Sequence, residues 1–252
     1  MNEKCKSHAR SDVPKKIKFP SNFLGPLLNG GFPEGSSISL IGPPGAGKTI
    51  FCESLANSLL QSDVSCLCVT TDRAPADIRN DFRQLGTDIK KMESKKKLVF
   101  VDGYGWLAGD SNEIFGVETL ANLTELIILI ERASNYLDGR ILLVLDSVSP
   151  LLVHNPEKDV IKFLQLLSAR MKKWKGIGIY VVQAGVHSEE FYNALAYLVD
   201  GIFDMKIEEE KGKIRRYLRI RNLTFVAHKM MWAPFAIESG RSFRLQNLEA
   251  SE

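Results

Sequence analysis

Apolar positions along this chain recur in two alternating rhythms. Short aliphatic and β-branched runs at 37–41, 65–71, 98–102, 141–146 and 178–183 have the length and composition of buried strands. Between them, 50–60, 75–85, 118–137 and 156–174 carry helical spacing. Phe51, Leu55 and Leu59 fall at i, i+4 and i+8, and Ile78, Phe82 and Leu85 share a face that Gly86 terminates. Strand–helix alternation of this kind predicts βαβ units and a parallel sheet. The pattern then changes. Runs at 201–208 and 213–222 flank a charged turn and predict an antiparallel hairpin, followed by an edge strand at 235–238. Residues 1–20 hold several lysines and two prolines with little periodicity, so they are expected to form a mobile basic arm. The folded domain is expected over 21–243, with a tail at 244–252, and no internal repeat is visible.

The junction of the first strand and first helix carries chemistry. Residues 42–49 read Gly-Pro-Pro-Gly-Ala-Gly-Lys-Thr, a full match to G-x-x-x-x-G-K-[S/T]. A glycine-rich turn leaves successive backbone N–H groups facing one concavity, and the following helix adds its positive end, so a polyphosphate fits there. Gly42, Pro43, Pro44, Gly45, Ala46, Gly47, Lys48, Thr49 and Ile50 are therefore the expected nucleotide-binding set. Lys48 would reach the β- and γ-phosphates, and the Thr49 hydroxyl would ligate Mg²⁺. A second signal supports the first. The buried run at 140–146 ends in Asp146, where a Walker B carboxylate holds Mg²⁺ through water. ATP and Mg²⁺ are the expected cofactors.

Composition narrows the setting. The chain has 252 residues, 44% of them hydrophobic, which suits one sizeable core. Its 33 Lys plus Arg against 30 Asp plus Glu give no global basic field for nucleic acid. Cys5, Cys52, Cys66 and Cys68 show neither C-x-x-C spacing nor disulfide density, and read as reduced thiols. The polar N-terminal residues lack a signal-peptide core, and the longest aliphatic runs are too short to span a membrane. A cytoplasmic location is expected.

On these motifs the chain resembles the RecA-type ATPases, and specifically their KaiC-like branch. The likeness covers most of residues 24–240. It includes the Leu28 to Ser36 lead-in, Asp146-Ser-Val-Ser-Pro-Leu after the Walker B strand, 197–202, 215–220, His228 and Pro234-Phe235. The resemblance implies an α/β P-loop fold of RecA type: a central, mostly parallel twisted sheet flanked by helices, with a C-terminal antiparallel hairpin. It also implies nucleotides bound between subunits of a homo-oligomer.

Two departures stand out. The branch carries a Glu-Glu pair before a Pro-x-(Asp/Glu)-Ile helix start, and aligning on Pro75 puts Asp72 and Arg73 there. Asp72 would then be a possible general base, shorter than Glu by one methylene. It would otherwise cap the helix at Pro75 or pair with Arg73. In the hairpin, the family's Lys-x-Arg-Gly, which reaches a neighbour's γ-phosphate, falls on Asn222, Thr224 and Phe225. Arg219 or Arg221 would substitute from a nearby register, or share a solvated face with Arg215 and Tyr217. Gln183 stands where RecA-type proteins place a γ-phosphate sensor, and Tyr104 and Trp106 lie in a glycine-rich loop suited to rim packing or to a partner.

The leading expectation is an ATP-binding protein with weak or partner-dependent ATPase activity that acts as a nucleotide-dependent switch toward a protein partner. The alternative is a recombination-type DNA-binding ATPase, for which the candidate loops at 154–159 and 184–188 carry few cations. A small-molecule kinase would need an Arg-rich lid that is not evident.

Overall fold

The computed structural model describes residues 14–246 except 29, 110, 211, 239 and 241. A two-strand lead-in pairs β1 (Lys16–Ile17) with β2 (Phe32–Pro33), across α1 (Ser21–Leu24). The main run follows: β3 (Ser36–Gly42), α2 (Lys48–Leu60), β4 (Val64–Thr70), α3 (Pro75–Gln84), α4 (Ile89–Ser94), β5 (Leu98–Asp102) and α5 (Leu123–Tyr136). Then come β6 (Arg140–Asp146), α6 (Ser149–His154), α7 (Glu157–Trp174), β7 (Ile177–Gln183) and α8 (Glu189–Leu198). The chain closes with β8 (Gly201–Glu210), β9 (Lys213–Leu223), β10 (Ala233–Ile237) and β11 (Phe243–Leu245).

Nine strands form one sheet in the order β11-β10-β9-β8-β3-β7-β6-β4-β5. From β5 to β8 all neighbours are parallel, and from β8 outward they are antiparallel, as expected of the closing hairpin. Register decides where the chemistry lies. Gly42 stands opposite Gln183, and Thr70 stands opposite both Asp146 and Asp102, so the strands' C-terminal ends share one rim. Ligands of open α/β sheets bind at such a rim.

The two sheet faces bury separate apolar clusters. α2, α3 and α4 contribute to one, and α5, α7 and α8 contribute to the other. Phe51, two residues past Thr49, is fully buried against Phe23, Phe243 and Phe203, with ring centroids at 5.2, 5.1 and 6.3 Å. Removing such a ring costs about 3–5 kcal/mol, so packing fixes the first turn of α2 firmly.

The fold departs from the sequence pattern at its ends. Ile17 is 1% exposed and paired in a strand, so the chain joins the core before residue 21; residues 1–13 of the expected basic arm lie outside the described residues. Leu245, placed in the expected tail, is buried in β11, while 247–252 lie outside the described residues. α5 starts at Leu123 because the Asn122 side chain accepts the Glu125 N–H at 3.0 Å and caps it there. Among the described residues no helix is long and apolar enough to cross a membrane.

Candidate functional site

The phosphate loop leaves β3 at Gly42, where an added Cβ would lie 2.9 Å from the Met205 Cβ. It re-enters helix at Gly47, which caps α2 in the left-handed region at φ 94°, a conformation that favours glycine. Lys48 folds back into this loop. Its Nζ donates to the carbonyls of Gly42 and Pro43 at 2.8 and 2.9 Å, and to Gln183 Oε1 at 3.4 Å. Burial lowers its pKa, opposed by the charges of Asp146 and Asp72. The expected sensor and the P-loop lysine are therefore direct neighbours.

Asp146 is buried at the end of β6, and the Thr49 hydroxyl donates to its carboxylate. Burial, reinforced by the nearby charge of Asp72, pushes its pKa up to about 6. Asp72 is exposed on one side, yet burial on the other raises its carboxyl, against the pull of Arg73, a Ser147 hydroxyl bond and Lys48. Two carboxylates and a hydroxyl facing one volume are hard oxygen donors, and Mg²⁺ fits that set. Thr49 and Asp146 would hold it, the latter through water. Among the described residues no three His, Cys, Asp or Glu side chains gather to hold a metal by themselves, so a cation here would draw its other ligands from phosphate and water.

Asp72 neither caps α3 nor forms an ion pair with Arg73. The cap position is Ala74, without a side-chain bond, and Arg73 turns the other way, to Glu53 at 3.3 Å and Asp81 at 2.6 Å. Asp72 is thus left facing the site. Beside it lies a groove lined by Ser147, Ser149, His154, Gln183 and His187. Here sequence reasoning missed three residues. Ser149 Oγ lies 2.8 Å from His187 Nε2 and accepts the Gln183 N–H at 3.2 Å, while the Tyr192 hydroxyl donates to the Gln183 carbonyl at 2.6 Å. Ser149 stood within a recognised motif and His187 within the 184–188 loop weighed for DNA binding; Tyr192 gave no signal, because α8 brings it in from beyond that turn.

The hairpin overturns one expectation. Arg219 and Arg221 both bind Asp204, at 2.8 and 2.5 Å, so neither is free to substitute for the family's trans cations. Arg219 also lies over the Trp232 ring at 4.5 Å, with Lys206 over the same ring at 4.5 Å. Thr224 turns inward, its N–H and hydroxyl donating to the Asp200 carbonyl at 2.9 and 3.0 Å. Phe225 adopts φ 65° and is 66% exposed. The opposite face of β9 sends Arg216 to the phosphate loop, where its Nε donates to the Gly45 carbonyl at 3.0 Å, a contact the sequence did not suggest. In the glycine-rich loop, Trp106 donates to the Gly103 carbonyl at 3.0 Å and packs edge-on to His154.

Comparison with known proteins agrees with this fold. The family model described as the ATPase KaiC matches residues 22–247. A UPF0273 protein of Methanopyrus kandleri is 29% identical over 215 residues, 84% of this chain and 84% of that protein. Another, from Methanocaldococcus jannaschii, is 28% identical over 233 residues, 88% of this chain and 93% of its own length. Among solved structures, a KaiC-like protein of Pyrococcus horikoshii superposes with a TM-score of 0.76 at 21% identity, covering 93% of this chain and 100% of that one. That likeness shows the fold. The chain belongs to the KaiC family of RecA-type P-loop ATPases, a family that implies nucleotide binding.

Proposed function

We propose that this chain binds Mg·ATP at the phosphate loop, hydrolyses it slowly or only with a partner, and uses its nucleotide state to alter a surface presented to another protein. The observation that carries this reading is the asymmetry of the site. Lys48, Thr49, Asp146, Asp72 and Gln183 converge on one rim, while Arg73, Arg219 and Arg221 are each bound to carboxylates of their own chain. Holding groups are present, and Arg73, Arg219 and Arg221 offer no second cation for the transition state; Arg216 reaches the loop, but through the Gly45 carbonyl. Such a cation contributes about 10³-fold or more to phosphoryl transfer in P-loop enzymes, so slow turnover is the expected consequence.

On this reading the chain's residues act as follows. Backbone N–H groups from Gly45 to Thr49 and the Lys48 ammonium receive the phosphates, the ammonium exchanging loop carbonyls for phosphate oxygens. Mg²⁺, held by Thr49 and Asp146, would neutralise charge on the β- and γ-oxygens. Asp72 orients or deprotonates the attacking water. Loss of the Lys48–Gln183 contact on phosphate binding would then reach Ser149 and Tyr192 through the Gln183 backbone. The DNA-binding alternative has less support. Residues 157–159 already belong to α7, and 184–188 form a short turn whose His187 is bound to Ser149.

The test is direct. Calorimetry should show binding of ATP and ADP that strengthens with Mg²⁺, with turnover far below the roughly 1–10³ s⁻¹ of ordinary enzymes. Hydrogen exchange should differ at 184–192 between ADP and a non-hydrolysable ATP analogue. Absence of nucleotide binding, or identical exchange in both states, would sink the proposal.

A further inference from the structure

We propose that Arg73 is a positioning residue: by tying the strand end that carries Asp72 to the P-loop helix and to α3, it fixes Asp72 relative to the bound phosphates. This rests on the reading of Asp72 as the water-directing base and adds a residue with the opposite charge to that of the family's second glutamate. The geometry is a brace with two sides. On the inner side, residues 70–72 are pinned to the end of β6. The Thr71 N–H donates to the Asp146 carbonyl at 3.1 Å, its hydroxyl donates to the Ser147 carbonyl at 2.6 Å, and it accepts the Ser147 N–H at 2.8 Å. On the outer side, Arg73 reaches Glu53, which lies one helical turn beyond Thr49 on α2, and Asp81 on α3. The Thr70 hydroxyl closes the turn between the two sides by donating to the Arg73 carbonyl at 2.6 Å.

At this bend Asp72 lines the groove beside Ser147 and Gln183, while Arg73 bonds Glu53 and Asp81 in the helix layer. Glu53 and Asp81 are 4% exposed, so their positions are set by packing, and a planar guanidinium bridging both transfers that rigidity to the bend. A displacement of 1 Å at a reacting group costs up to about 100-fold in rate, which makes such a brace consequential. A lysine at 73 keeps the charge but presents a single ammonium in place of the two-pronged fork.

The experiment is a double-mutant cycle on single-turnover ATP hydrolysis, with ADP affinity and melting temperature measured in parallel. Arg73→Lys is expected to slow hydrolysis about tenfold while ADP affinity stays within about twofold of wild type. Asp72→Asn with Arg73→Lys should be no slower than Asp72→Asn alone, because Arg73 acts through Asp72. Should Arg73→Lys fail to fold, Asp81→Asn, which cuts one arm of the brace, takes its place in the cycle with the same expectation. Multiplicative losses in the double variant would overturn the inference, as would hydrolysis, affinity and melting temperature falling together. Wild-type chain that binds Mg·ATP without any turnover would overturn it too, while leaving the nucleotide-binding reading in place.

Discussion

The phosphate loop and the closing hairpin touch at Arg216 and Gly45, yet their charged groups are arranged in opposite ways. At the loop, Lys48, Asp146 and Asp72 face a common volume in which each perturbs the others' ionisation. At the hairpin, Arg219 and Arg221 close onto Asp204 and Trp232. One region gathers charges around a shared volume, and the other closes Arg219 and Arg221 into a local pair with Asp204. The difference teaches that a cation counts toward catalysis only if its fork is open to the substrate. By sequence alone Arg219 or Arg221 could have supplied such a fork or lain on a solvated face.

The largest expected effect breaks the loop side. Lys48→Ala should weaken ATP binding by about 100-fold or more, the worth of one or two charge-assisted bonds at about 1.5–3 kcal/mol each. Unchanged affinity by calorimetry would mean that the loop is not the nucleotide site.

Next comes Asp146→Asn, which separates holding metal from holding the fold. Asp146 titrates at about 6 in the folded chain and near 3.9 when unfolded. Between those values the folded state carries a proton that the unfolded state has released. Stability from this group is therefore present at low pH and lost as pH rises through 6. The asparagine variant should escape that loss and gain up to about 3 kcal/mol over wild type at pH 7.5, with much less gain at pH 4. Added Mg²⁺ and ATP should stabilise wild type but not the variant. Melting curves at the two pH values decide it; an equal gain at both would show that the carboxylate is not crowded.

The third prediction rebuilds the hairpin. Asn222→Lys combined with Thr224→Arg should raise turnover at least about tenfold, a fraction of what a finger supplies, under conditions where the chain self-associates. Losing the Thr224 hydroxyl bond to the Asp200 carbonyl would cost about 1 kcal/mol of stability. Unchanged turnover with Mg·ATP still bound would mean that this hairpin does not face a neighbour's phosphates.

How much of this was legible in the sequence follows from the range of each interaction. The strands of the parallel sheet, the phosphate loop and the carboxylate ending β6 are written in contiguous residues, and they stand where the pattern put them. Arg73 could be read as an anomaly but not as a brace, because Glu53 lies 20 residues before it on a helix whose rotation only packing sets. The fate of Arg219 depends on the β8–β9 register, which sets it opposite Asp204; a slip by one residue would have left it free. Arg216 meets Gly45 across 171 residues, and no local rule reports such a contact. α6 and α8 escaped notice because short helices of 6 and 10 residues take their stability mainly from the core they cover.

The smallest expected effect asks whether the hairpin tip is idle. Phe225 stands at the family's glycine position, at φ 65°, where a bulky side chain carries about 1–2 kcal/mol of backbone strain. Because the ring is 66% exposed, little burial offsets that strain within the chain. Phe225→Gly should therefore raise the melting temperature of the isolated protein by a few degrees, at about 2–4 °C per kcal/mol for a domain of this size, with ATP affinity unchanged. A lowered melting temperature that depends on protein concentration would point the other way. It would mean that the ring is buried against a second copy, and that the hairpin had exchanged a glycine for an apolar contact.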